Sequence, residues 1–218
     1  MGEAWFIRHG ESISNADLPT SHPADSELTP LGMAEAEQIA QAFARPPDLI
    51  VVSPFIRARQ TAAPTLHRFA SVPTATWPVH EFTYLAASHY DGTTGSERWP
   101  IAMDYWQRND PDYRDGKNSE TFAELMVRVW QIIAQLRQHE AQFVALFSHG
   151  LFIRALQWAV LTNTTQATPD SMRRYNSFCR AVTVPNGAIC RLFFDETTLR
   201  LGSIDTAHMD QSWPTLSV

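Results

Sequence analysis

Apolar residues along the chain keep two rhythms. Short unbroken runs, from Ala4 to Arg8 (AWFIR), Asp48 to Ser53 (DLIVVS) and Phe143 to Phe147 (FVALF), each end abruptly in polar residues, as strands covered on both faces of a sheet do. Longer stretches carry their apolar residues at helical spacing. In LTPLGMAEAEQIAQAFARPP, Thr29 is suited to cap, Pro30 to the first helical position, and Leu31, Ile39 and Phe43 fall near one face before Pro46 and Pro47. From Ser119 to about His139, Phe122, Leu125, Met126, Val129, Ile132 and Leu136 share a face, and Thr121 with Glu124 makes a capping box. SPFIRARQTA reads as a turn followed by a helix as far as Pro64, and LFIRALQWAVL as an apolar helix.

A further strand is predicted around Trp77 to Glu81. Beyond it, Phe82 to about Asn118 is rich in aromatic residues without a clear period and reads as an inserted cap or a set of loops. Near the C-terminus, AVTVP and AICRLFFD joined through Asn186 and Gly187 predict a hairpin, with a last strand near Leu199 to Ile204. Strands alternating with helices imply an α/β fold: a three-layer α/β/α sandwich whose central sheet is mostly parallel, with an antiparallel C-terminal hairpin strand. A single domain over residues 1–218 is expected, carrying the insertion at about 82–118. Ligands of such sheets bind beyond the carboxyl ends of the strands.

Composition narrows the function. With 44% apolar and 18% charged residues the chain is of globular rather than disordered type. Its net charge of -6, and 17 Lys and Arg that form no run, provide no field for a polyanion, so nucleic acid is not an expected partner. MGEAWFIRHG lacks a basic region followed by a long apolar stretch, and no apolar run reaches the roughly 18 residues of a membrane span. The expectation is a cytoplasmic protein without membrane association. Cys179 and Cys190 are read as buried thiols, and neither they nor the histidines outside the strand ends, among them His22, His80 and His89, keep metal-ligand spacing. No metal or other cofactor is expected, and nothing in the sequence fixes an oligomeric state.

The unusual residues gather at strand ends: Arg8 and His9 after the first run, Arg57 just past the second, His149 after FVALF. Two arginines and two histidines brought together repel one another unless an anion sits among them. A phosphate monoester carries about -1.5 to -2 charges at neutral pH, and the planar fork of arginine matches two of its oxygens at once. The predicted partner is therefore a small phosphorylated substrate.

RHGES with Asn15, then SPFIRARQTA, then the SETFAEL and RVW stretch, then SHG, resemble in order and spacing the histidine phosphatase superfamily, the phosphoglycerate-mutase-like proteins, from about Trp5 to Ile189. The resemblance implies that His9 is a nucleophile that becomes phosphohistidine. It also implies that Arg8, Arg57 and His149 grip the phosphate and that Asn15 adds a polar contact; Ser12 and Gly150, in the same turns, are counted with the substrate-binding set. For attack His9 must be neutral, a form that nearby arginines favour, while His149 is expected to be protonated once phosphate is bound. Glu81 stands where the family has its general acid. The Gly-x-Trp-Glu-Gly stretch frequent after that acid is replaced here by FTYLAASHYDGTTGSER, and Asp91 and Glu97 are the alternatives.

This segment occupies the place where family members differ in specificity, so Thr93, Thr94, Ser96 and Arg98 are candidates for the rest of the substrate or a second phosphate; the aromatic residues around them are expected to pack as core and cap. The implied function is a metal-independent phosphomonoester hydrolase acting on a small phosphorylated metabolite. The rivals are a phosphoglycerate-type mutase, whose long basic and aromatic insertion has no match between Glu81 and Asn118, and a non-catalytic protein that binds or senses a phosphate ligand.

Overall fold

A computed structural model of the chain describes residues 1–209. Six strands make one sheet: β1 (Gly2–Arg8), β2 (Leu49–Val52), β3 (Thr74–Thr76), β4 (Phe143–Ser148), β5 (Ile189–Phe194) and β6 (Leu199–Asp205), in the order β3-β2-β4-β1-β5-β6. β1, β2, β3 and β4 run parallel, while β5 and β6 are antiparallel additions beyond β1. The sheet is thus mostly parallel with an antiparallel C-terminal pair, as the alternating pattern implied.

Side chains on the central strands alternate between two cores because successive residues of a strand point to opposite faces. Ala4 and Phe6 of β1, Val51 of β2 and Leu146 of β4 face one core. The same side packs helices α3 (Gly95–Arg108), α4 (Phe122–Gln138), α5 (Gly150–Thr162) and α6 (Pro169–Ala181). Trp5, Ile7, Ile50 and Phe147 face the other, under α1 (Pro30–Gln41) and α2 (Ile56–Arg68). Coverage on both sides explains why the three inner runs read as unbroken apolar segments. Among the described residues no helix is long and apolar enough to cross a membrane.

Local signals behave as the chemistry of helix ends predicts. Thr29 caps α1 by accepting the Gly32 N–H, with Pro30 at the first position. Thr121 and Glu124 satisfy each other's backbone N–H at the start of α4. Three expectations differ from the structure. α2 continues through Pro64 to Arg68, since a proline ring inside a helix removes one hydrogen bond without obliging the chain to leave it. Residues 77–81 form no strand: the chain bends at Pro78, Val79 N–H bonding back to Trp77 O at 2.8 Å; the strand lies earlier, at β3, and this stretch is held to the end of β4 by Ser148 Oγ–H donating to Val79 O at 2.7 Å. AVTVP is no strand: α6, capped by Thr168 with Pro169 next, runs to Ala181, and Asn186 and Gly187 turn the chain into β5, whose hairpin partner is β6.

The insertion after Glu81 also contains order that its irregular pattern hid. A 3-10 turn at Ala87–Tyr90 precedes α3, which starts at a capping box between Thr94 and Glu97 despite Pro100 inside the helix. Its aromatic residues pack as expected, Tyr84 on Tyr105 at 4.7 Å and Tyr105 on Trp106 at 5.3 Å between ring centroids, although Trp99 is exposed. Cys190 is buried and Cys179 only partly so.

Candidate active site

Because β2, β4 and β1 are parallel neighbours, their carboxyl ends lie side by side, and the residues that leave them meet. His9 N–H donates to Ser148 O at 3.0 Å, and Ser53 N–H to Phe147 O at 3.0 Å, so the last ladder bonds themselves align His9, His149 and Ser53. The rings of His9 and His149 stand 5.1 Å apart. Arg57, one residue into α2, reaches back between the strand ends, its Nε–H donating to His9 Nε2 at 3.0 Å and its Nη1–H to Pro23 O at 2.7 Å.

The turn after β1 is held on three sides. Gly10 N–H donates to Thr61 Oγ1 at 3.0 Å, and Glu11 N–H donates to Glu35 Oε2 at 2.5 Å. α1 presses backbone to backbone: a Cβ on Gly32 would lie 2.0 Å from Glu11 O, and one on Gly10 would lie 2.5 Å from Gly32 O. Asn186 closes the third side by donating to His9 O at 3.0 Å.

Hydrogen positions follow from these partners. His9 Nδ1 lies 2.7 Å from Gly10 O, an acceptor only, so Nδ1 carries the proton; Nε2 accepts from Arg57 and keeps its lone pair toward the arginine. Ser53 Oγ accepts the Phe55 N–H at 3.3 Å and lies 2.8 Å from His149 Nε2. With no other acceptor among the described residues, the hydroxyl donates to that nitrogen and leaves the proton on Nδ1. Burial, followed by the charge of Arg57, holds both imidazoles well below the usual histidine range, so both are neutral without a bound anion. Burial likewise lowers Arg57, and lowers Arg8 to about 10.

Two donors in this cluster have no acceptor. Arg8 Nε and His149 Nδ1 are both buried and, among the described residues, unpartnered. A buried polar group left unpaired costs about 1–3 kcal/mol, more when charged. Arg8 Nη1 is anchored on Val184 O at 2.5 Å. Its Nε sits where a Cβ on Gly150 would be 3.3 Å away, so Gly150 contributes room for the guanidinium and does not itself line the cavity.

Arg8, His9 and Arg57 line a cavity of about 120 Å³; His149, fully buried, does not itself line it. Ser12 and Asn15 line it too; Asn15 Oδ1 accepts from Ser12 N–H and Oγ–H and from Asn186 Nδ2–H, which leaves its own amide hydrogens free among the described residues. Glu81 stands on the wall with Oε1 accepting the N–H groups of Phe82 and Leu151 at 3.0 Å and of Phe152 at 3.2 Å, at the amino end of α5. Of the alternative acids, Glu97 is engaged in the capping box of α3 and Asp91 ends the 3-10 turn; neither lines the cavity.

Arg98 does not line the cavity that holds Arg8, His9 and Arg57. Only 5% exposed, its Nη1–H groups donate to Thr20 Oγ1 and to Thr93 O and Oγ1, and its guanidinium lies 4.3 Å from the Tyr90 ring centroid. Thr93, Thr94 and Ser96 are similarly occupied, with His89 O, the α3 cap and Asp17 respectively. Sequence reasoning missed Ser53, Thr61, Glu35 and Tyr90. Ser53 and Thr61 stood inside the quoted motif, but only the pairing of strands shows what they touch. Arg59, two residues on from Arg57, is exposed. A larger cleft of about 520 Å³ lies behind Thr83, where Arg128 is paired with Glu120 and Arg114 with Glu124. Among the described residues no group of three or more His, Cys, Asp or Glu is placed to hold a metal ion.

A family model described as histidine phosphatase superfamily (branch 1) matches residues 4–200. Among solved structures, α-ribazole phosphatase from Shigella flexneri is similar at a TM-score of 0.71 and 22% identity, over 94% of this chain and 96% of that one. Phosphoserine phosphatase from Entamoeba histolytica, in complex with 3-phosphoglyceric acid, is similar at 0.71 and 22%, over 95% and 99%. A mycobacterial glucosyl-3-phosphoglycerate phosphatase gives 0.68 and 23%, over 94% and 97%. At such identities the likeness is one of fold. No curated protein matches the sequence.

Proposed function

The chain belongs to the histidine phosphatase superfamily and is a phosphatase; from that premise we propose that it is a metal-independent phosphomonoester hydrolase working through phosphohistidine at His9. The observation that carries this reading is the pair of buried donors without acceptors, Arg8 Nε–H and His149 Nδ1–H, on residues beside the neutral imidazole of His9, whose ring lies 5.1 Å from that of His149. A phosphate group among them gives both donors an acceptor.

In the proposed reaction the bound phosphate takes over the Arg57 Nε–H from His9 Nε2, and that nitrogen, its lone pair maintained by the Nδ1–H bond to Gly10 O, attacks phosphorus. Charge spreads over the equatorial oxygens, where Arg8, Arg57 and His149 Nδ1–H act as donors. The bond to the leaving oxygen breaks, and Glu81 in its acid form gives that oxygen its proton. Water then attacks the phosphoryl group on His9, Glu81 takes a proton from it, and inorganic phosphate leaves. The positive charge that a metal ion supplies in other phosphatases comes here from side chains.

The test is release of inorganic phosphate from phosphorylated metabolites without added metal, with rapid quenching to trap an acid-labile phosphoryl group. It is expected on the wild-type chain and absent from His9→Ala. Isomerised ester in place of free phosphate would identify a mutase, and tight phosphate binding with no turnover a binding protein.

A further inference from the structure

Resting on that reading, we propose that the alcohol half of the substrate is a small uncharged polyol, and that esters whose alcohol carries a carboxylate or a second phosphate are disfavoured. The cavity lining holds two unlike sets of groups. Besides the arginines and His9, it offers the hydroxyls of Ser14, Thr20, Thr83 and Tyr90. Among the described residues, the hydroxyls of Ser14, Thr83 and Tyr90 have no hydrogen-bond partner, so each is free to donate and to accept. A hydroxyl-bearing alcohol satisfies such a wall, and a carboxylate, which only accepts, uses it half as well.

An anion on the alcohol also needs a cation, and each nearby cation is committed elsewhere. Arg98 holds Thr20 and Thr93 and stacks on Tyr90. Arg154, behind Arg8, donates to Gly150 O and Cys179 O. His22 lines the cavity, but its Nδ1 is taken up by the Ala24 N–H at 3.2 Å and lies 3.9 Å from Asp25 Oδ2. Residues 210–218 contain no Lys, Arg or His, so the described residues include every cationic side chain of the sequence. The acidic residue that shares the lining is Glu81, which offers a second anion no positive charge. The small volume, about 120 Å³, limits the alcohol to a few carbons beyond the phosphate.

A matched pair tests this: sn-glycerol 3-phosphate and 3-phosphoglycerate share a three-carbon frame and differ in a terminal CH₂OH against a carboxylate. The expected result is a kcat/KM about 10- to 100-fold higher for the glycerol ester, the scale of a missing charge-assisted hydrogen bond. Thr83→Lys is expected to shift the ratio toward 3-phosphoglycerate. Equal or reversed preference in the wild-type chain overturns the inference. So does hydrolysis of p-nitrophenyl phosphate with neither three-carbon ester accepted. If no ester is hydrolysed, the proposed function fails, and calorimetric binding of the same two esters to the unmodified chain decides the inference by the same ratio.

Discussion

Where the strand ends meet, His9, Arg57 and His149 are 3%, 6% and 0% exposed and issue from strands, or the first turn of a helix, packed into the sheet. Most of the remaining cavity lining belongs to residues 12–26 and 82–98, which lie beyond the strands and are joined to each other by Asp17 on Ser96, by Thr20 on Thr93 and by Arg98 between them. The first is fixed at the centre of the sheet; the second is anchored to the core through Phe82 and Leu85, and its two segments are joined to each other by a few polar links. Groups that must stabilise transferring charge gain from immobility, because donors that need no rearrangement lower the barrier most. Groups that choose the alcohol carry no such demand, and changes there leave the chemistry in place.

The largest expected effect breaks the rigid end. Arg57→Ala removes the donor to His9 Nε2 and one arm around the phosphate, and kcat/KM should fall about 10²- to 10³-fold for every ester alike. Steady-state hydrolysis of several esters checks this, and a loss confined to some of them would mean that Arg57 selects rather than catalyses.

The second prediction concerns protons. Burial holds His9 and His149 below their ordinary range, and burial with Arg128 holds His80 at about 4, so the unfolded chain binds more protons than the folded one as pH falls below about 6.5. Stability is lost in that window. Glu35 and Glu120, raised by burial, act in the opposite sense at lower pH and offset part of the loss. Thermal melting should show Tm falling by roughly 5 °C or more between pH 7 and pH 5. A flat Tm would contradict the neutral, buried histidines.

The smallest effect tests the polar links. Asp17→Asn weakens the contact to the start of α3, and KM should rise about 2- to 5-fold with kcat little changed, the scale of one exposed charge-assisted bond. A large fall in kcat would mean that the two ends are less independent than their construction suggests.

The same contrast governs what could be read from the sequence. Arg8, His9, Arg57 and His149 were legible because each follows an apolar run whose burial is forced, and parallel pairing of neighbouring runs then brings their ends together. Thr121 with Glu124 was legible because a capping box is local. Ser53 and Thr61 were hidden in plain view, their partners lying across the sheet end. α3 escaped notice because its aromatic residues meet partners on several elements, and Pro100 argued against a helix that capping at Thr94 nonetheless starts. Arg98 was misjudged for the alcohol site since a buried arginine and a ligand-facing one look alike until their acceptors are known.

The close approach of α1 to the turn after β1 carries a consequence for how this protein tolerates change. Gly32 does not line the cavity and sits on a helix apart in the chain from His9, yet even alanine there drives a carbon into the carbonyl of Glu11, two residues past the histidine. A saturation-mutagenesis map should therefore mark position 32 as no less forbidding than position 9, while hydroxyl-bearing positions next to the alcohol accept many replacements. An evolutionary search for new substrates has latitude on one side of the cavity and almost none beneath the other.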